Sequence, residues 1–196
     1  MADSTSHLAL GVVLCARDGH LEVLLSGDAL PAAPLARGES LETALGRAVD
    51  VPALAHLEQL QTRVLENGSI ATAYLGLVSS EAALDGEWRA VTDVVLPFVD
   101  TAQARLRAKL SYTNVGFALA PATFTISELR EVYVAALGHD VSATNLQRVL
   151  VRRGVLERID GRRAPGRAGG RPAALFRFAS NRLEVTDEFA ALRPPR

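Results

Sequence analysis

The stretch TISELREVYVAALGHDVSATNLQRVLVRRG, from Thr125 to Gly154, constrains the fold most, because it specifies two helices and the turn that joins them. Leu129, Val132, Tyr133 and Ala136 fall at i, i+3, i+4 and i+7, the spacing of one buried helical face. Thr125 and Glu128 have the spacing of a capping box, and Gly138 can adopt the left-handed conformation that closes a helix. The short turn HDVS then leads to a second helix, with Ser142 as N-cap and Gly154 as its stop. Leu146, Val149 and Leu150 form its apolar side, while Asn145, Arg148 and Arg152 share a polar side. Arginine and asparagine make bidentate contacts with guanine and adenine edges, so the polar side suits a helix lying in a DNA major groove. Ser142 and Thr144 mark the amino end of that helix, where backbone N–H groups suit a phosphate.

The residues beyond Gly154 point the same way. VLERI and ALFRFA have the composition of β arms, and between them runs DGRRAPGRAGGRPA. Arg162, Arg163, Arg167 and Arg171 stand there among glycine and proline, and no core can use four guanidinium groups without apolar surface. After a helix-turn-helix, such a segment reads as the wing of a winged helix, each arginine neutralising a phosphate or entering a minor groove. The charge distribution agrees. Residues 1–100 carry five Arg, no Lys and 14 Asp plus Glu, a net −9, whereas the remainder carries 16 basic and 8 acidic groups, a net +8. An acidic half joined to a basic half implies two tasks, one of them on a polyanion.

The first half has mixed strand and helix patterning. LALGVVLCA and LEVLLS flank Arg17-Asp18-Gly19-His20, a hairpin signal, and Asn67-Gly68 marks a second hairpin. Leu41, Leu45 and Val49 lie at i, i+4 and i+8 behind Ser40 as N-cap, which predicts a helix that Pro52 ends. EWRAV reads as a strand, DVVLPF as a turn at Pro97, and TAQARLRAKL as a basic helix. The lone Cys15 excludes an internal disulfide and reads as a buried strand residue in a reducing compartment. No basic leader precedes the first apolar run, and no apolar run reaches the ~20 residues of a membrane span. The expectation is a soluble, cytoplasmic protein with no membrane contact.

The order of elements around Gly38-Glu39 resembles the Nudix hydrolase fold over roughly the first 110 residues. The family's glycine, glutamate, Arg-Glu, Glu-Glu and glycine positions fall here on Ala33, Glu39, Arg47-Ala48, Val51-Pro52 and Leu54. Glu39 and Arg47 survive, but Ala, Val and Pro give Mg²⁺ no side-chain oxygen. Glu39, Glu42 and Asp50 remain, either around a displaced metal or as a solvated acidic helix face. No catalytic residue, metal or cofactor is expected.

RLRAKLSYTNVGFALAPATFTISELREVY, NLQRVLVRRGVLE and GRAGGRPAALFRF together resemble the Nudix-related transcriptional regulators of bacteria. The resemblance implies an α/β (α+β) chain, a Nudix-like α/β/α sandwich followed by a winged helix-turn-helix domain. Its expected segments are residues 1–110 for effector sensing and dimerisation, a linker at 111–123, and residues 124–196 for DNA binding. It places Asn145 and Arg148 at base-reading positions and Arg167 and Arg171 in the wing. It further implies a homodimeric repressor of NAD- or sugar-metabolism genes on a pseudo-palindromic double-stranded operator, with ADP-ribose or a related sugar phosphate as effector. Such an anionic effector needs donors in an acidic domain, and Arg37, Arg47 and Arg63 are the candidates, Arg47 foremost. Two other readings stay open: a Mg²⁺-dependent hydrolase of nucleoside-diphosphate sugars using Glu39, Glu42 and Asp50, and an RNA- or nucleoprotein-binding adaptor. The tail LEVTDEFAALRPPR reads either as a short helix on the wing or as a dimer contact.

Overall fold

The computed structural model describes residues 6–82, 84–163 and 172–187. They form two compact units, residues 6–15, 21–78, 82 and 84–105 in the first, and residues 16–20, 79–81, 106–163 and 172–187 in the second.

The first unit is built on a mixed sheet. Its strands are β1 (His7–Arg17), β2 (His20–Leu25), β3 (Ala32–Pro34), β4 (His56–Val64), β5 (Ile70–Val78) and β6 (Glu87–Ala90). Their order is β4-β5-β1-β2-β6, with β3 also on β1. β1 runs parallel to β5, whereas β4 is antiparallel to β5. Both sequence-predicted hairpins form. Asp18 and Gly19 have φ of 50° and 79°, the pair of positive values that a two-residue type I′ turn requires. At the other turn Gly68 has φ 81° and the Asn67 side chain accepts from the Ser69 N–H. β1 is buried along nearly its whole length, Cys15 included, which explains its continuous apolar run.

α1 (Leu41–Leu45) is shorter than its apolar spacing predicts. Ser40 caps it as expected, but the N–H groups of Ala48 and Val49 both turn back onto the Leu45 carbonyl, so the chain leaves in a tight turn at Gly46. Pro52 opens a separate 3₁₀ turn, Val51–Ala53, where its missing N–H costs nothing, and does not end α1. Leu45 and Val49 still reach the core. A Cβ at Gly11 would lie 3.1 Å from Val49 and 3.3 Å from Leu45, so glycine on β1 lets α1 sit close to the sheet.

The second unit contains the end of α2 (Val99–Tyr112), then α3 (Ile126–Leu137), α4 (Ala143–Arg152), β7 (Leu156–Arg163) and β8 (Ala173–Phe178). Thr125 and Glu128 form both bonds of the capping box, and Gly138 closes α3 with φ 75°. Leu129, Tyr133, Ala136, Leu146, Val149 and Leu150 make the core between α3 and α4, and Phe124 and Phe178 pack with ring centroids 5.4 Å apart. Phe124 also exchanges two backbone hydrogen bonds with Phe176, adding a third, one-residue strand to the β7-β8 ribbon.

One expectation needs correction. Residues 111–123 are not a linker: Val115, Ala118 and Leu119 are fully buried, because their apolar side chains complete the core of the second unit. Asn114, itself buried, donates to the Arg182 carbonyl and accepts from the Glu184 N–H, and Tyr112 O accepts from Thr186, which straps residues 182–187 over the end of α2. No helix among the described residues is long and apolar enough to cross a membrane.

Candidate nucleic-acid interface

α4 is the candidate interface because its sequence separates apolar from polar positions cleanly. Leu146, Val149 and Leu150 are buried, and Thr144, Asn145, Gln147, Arg148, Val151 and Arg152 are exposed. The Ser142 hydroxyl accepts from the Asn145 N–H, which satisfies one of the free donors at the helix start. α4 contains no carboxylate, so nothing on it repels a phosphate backbone. Asn145 and Arg148 are paired with each other. Arg148 Nη2 donates to Asn145 Oδ1 at 2.8 Å, which orients the guanidinium and uses an acceptor that an adenine contact would need.

The arginines of the second unit have different fates. Arg152 is exposed and makes no ion pair among the described residues, whereas the side chain of its neighbour Arg153 is only 3% exposed. The Arg153 guanidinium donates to Ser111 O at 2.7 Å and to Asp187 Oδ2 at 2.8 Å, joining α2, α4 and the tail. Burial pushes the Tyr133 hydroxyl pKa upward, with the Arg153 charge opposing it. Arg162 and Arg163, read from sequence as loop residues, lie at the end of β7 opposite Ala174 and Ala173, because a bulge near Gly161 carries the ladder onward. Arg162 is exposed. Arg163 donates to Glu128 Oε1 at 2.6 Å and to Thr123 O at 3.3 Å, so its guanidinium anchors the ribbon to the start of α3. Arg167 and Arg171 lie outside the described residues.

Of the candidate effector-binding residues, Arg47 lines a cleft in the first unit. The cleft has a volume of about 400 Å³ and is walled by Leu24, Val49, Asp50 and Asp85 as well. Arg47 pairs with Glu39 and donates to Pro34 O, closing the loop before α1. Arg63 stacks over the Phe98 ring at 4.1 Å, and Arg37 is exposed in the turn at Gly38. Glu42 accepts from the Tyr74 hydroxyl at 3.0 Å. Its own backbone N–H first, and Tyr74 second, hold its pKa below the usual glutamate value. Among the described residues no three His, Cys, Asp or Glu side chains gather as metal ligands. Glu39 and Glu42 are each held by a protein donor, and Val51 and Pro52 offer no oxygen from their side chains, so this donor set does not fit Mg²⁺.

A strand-rich unit followed by a capped helix pair and a basic two-stranded ribbon defines a Nudix-like domain joined to a winged helix. The family model of the NrtR DNA-binding winged helix domain matches residues 116–178. The crystal structure of Shewanella oneidensis NrtR complexed with a 27mer DNA superposes with a TM-score of 0.67 at 25% identity, covering 89% of this chain and 93% of that one. A MutT/nudix family protein from Enterococcus faecalis shares the fold, with a TM-score of 0.62 at 17% identity over 92% of this chain and 90% of its own. The ADPR responsive transcriptional repressor NtrR of Acinetobacter baylyi is 40% identical over 76 residues. That match covers 39% of this chain and 29% of the relative, so it spans under a third of the curated protein. Residues 116–178 match the NrtR-type winged helix domain, and the chain as a whole is similar in fold to a Nudix-related transcriptional regulator.

Proposed function

We propose that the protein is a cytoplasmic, homodimeric DNA-binding repressor, with α4 and the β7-β8 ribbon on double-stranded DNA and the Nudix-like unit sensing ADP-ribose or a related sugar phosphate. The exposed, carboxylate-free face of α4 carries this reading. The relatives supply the rest: one is crystallised with DNA and another is described as ADPR responsive. Ser142, Thr144, Arg148 and Arg152 contact DNA from α4, Asn145 positions Arg148, and Arg162, Arg167 and Arg171 contribute phosphate contacts from the ribbon and its loop. Arg163 acts mainly by holding that ribbon to α3.

In the Nudix-like unit, Arg47 is the residue we assign to the effector. A phosphate competing with Glu39 for its guanidinium would release the Pro34 loop, giving the two arrangements a difference in ligand affinity. Arg37 and Arg63 stand outside the cleft and are assigned no such contact. The Nudix box is catalytically inactive in this reading, since its metal positions are Ala48, Val51 and Pro52. Residues 1–110 sense and dimerise and residues 124–196 bind DNA, each dimer spanning a pseudo-palindrome near genes of NAD or sugar metabolism.

The test is selection of duplexes from a randomised pool by the full chain, followed by anisotropy titration with and without ADP-ribose. A preferred duplex, an affinity shifted by ligand and no Mg²⁺-dependent turnover are expected. Equal binding to all duplexes, or chelator-sensitive cleavage of ADP-ribose, overturns the assignment.

A further inference from the structure

We propose that Gln147 and Val151 form a second reading row on α4 that recognises an A·T step, with the Gln147 carboxamide on adenine and the Val151 methyls on the thymine 5-methyl group. The proposal deepens the DNA-binding reading and rests on it.

Val151 is 48% exposed, on the side of α4 opposite Leu146, Val149 and Leu150. A β-branched side chain on a solvated helix face contributes neither packing nor helix propensity, so its position has no explanation within the unit. It stands one turn beyond Gln147 and Arg148, and Arg152 is its chain neighbour. Side chains spaced at i, i+3 and i+4 share one face, which places Val151 beside the cations that hold the helix to phosphates.

The hydrogen bonds on this face divide the labour. Asn145 Oδ1 accepts from Arg148, so the asparagine supports a guanine-directed arginine. Gln147 is exposed and makes no hydrogen bond among the described residues. Its carboxamide therefore keeps both the donor and the acceptor that adenine N7 and N6 require. The thymine methyl is the one apolar feature on the major-groove edge, and Val151 is the one large apolar side chain among the exposed residues of α4. The occupant this row fits is an A·T step next to the base pair read by Arg148.

The test uses the full chain and the duplex it selects from a randomised pool, synthesised with thymine or with deoxyuridine, which lacks only the methyl group. The wild-type chain should bind the deoxyuridine duplex about three- to fivefold more weakly, in proportion to one buried methyl. Val151→Ala should bind both duplexes equally, and Gln147→Ala should lose its preference for adenine over guanine at the neighbouring position. Both positions are exposed, so unchanged thermal melting is expected to show that both variants fold. A selected duplex without an invariant A·T pair, no effect of deoxyuridine on the wild type, or an equal loss on both duplexes in Val151→Ala overturns the proposal while DNA binding stands. Failure to bind any duplex overturns DNA binding and the proposal together.

Discussion

Arg148 Nη2 lies 2.8 Å from Asn145 Oδ1, so two side chains that sequence spacing offers as separate base readers form one hydrogen-bonded pair on α4. The pairing limits the rotamers of a long side chain before DNA arrives and lowers the entropy lost on binding. Removing Asn145 or Arg148 should therefore weaken binding to the selected duplex by overlapping amounts. In a double-mutant cycle by anisotropy, Asn145→Ala and Arg148→Ala should each cost about 1–3 kcal/mol, with a coupling of about 0.5 kcal/mol or more. Strict additivity would mean that each side chain reads its base alone.

Arg152 and Arg153 are adjacent, yet one faces solvent and the side chain of the other is buried against Ser111 and Asp187. Arg152→Ala should leave the melting temperature within error and reduce the slope of log affinity against log salt by about 0.9, the signature of one lost phosphate contact. Arg153→Ala removes the donor to the Ser111 carbonyl and one donor to Asp187 Oδ2, and should cost about 2 kcal/mol or more of stability in denaturant melts.

Arg163 should behave unlike either. Its guanidinium is held by Glu128 and Thr123, and the ion pair is partly exposed. Arg163→Ala should destabilise the chain by less than about 1 kcal/mol. The salt slope should change by less than in Arg152→Ala, a comparison made in one titration series.

Gly138 closes α3 with φ 75°, and a Cβ there would come within 2.7 Å of the Arg107 guanidinium. Gly138→Ala combines a left-handed backbone with that clash and should cost about 1–2 kcal/mol, read as a lower denaturation midpoint.

Tyr74 supplies a pH-dependent prediction. Burial first, and then the hydrogen bond to Glu42 and its charge, push its pKa from 10.0 to about 12. The folded protein therefore keeps the phenolic proton where the unfolded chain loses it. This contribution is fully present below pH 10 and is lost as the pH rises towards 12. Thermal melts of wild type and Tyr74→Phe should differ most near neutral pH and converge across that interval. A difference that grows with pH would contradict the placement of the hydroxyl.

Local signals in the sequence were sufficient for the elements that local physics specifies. Thr125, Glu128 and Gly138 set the ends of α3, Asp18-Gly19 and Asn67-Gly68 set two hairpins, and the spacing of Leu146, Val149 and Leu150 chose the buried side of α4. Gln147 and Val151 carry no such signal, because polarity alone does not single out a valine on an exposed face.

What tertiary structure decided is which cation meets which partner. Arg47, Arg63, Arg153 and Arg163 are chemically alike in sequence, and only the fold sets them against Glu39, the Phe98 ring, Asp187 and Glu128. Periodicity and capping act over a few residues and are written in the chain. A guanidinium's partner arrives from far along it, and only packing brings the two within hydrogen-bonding distance.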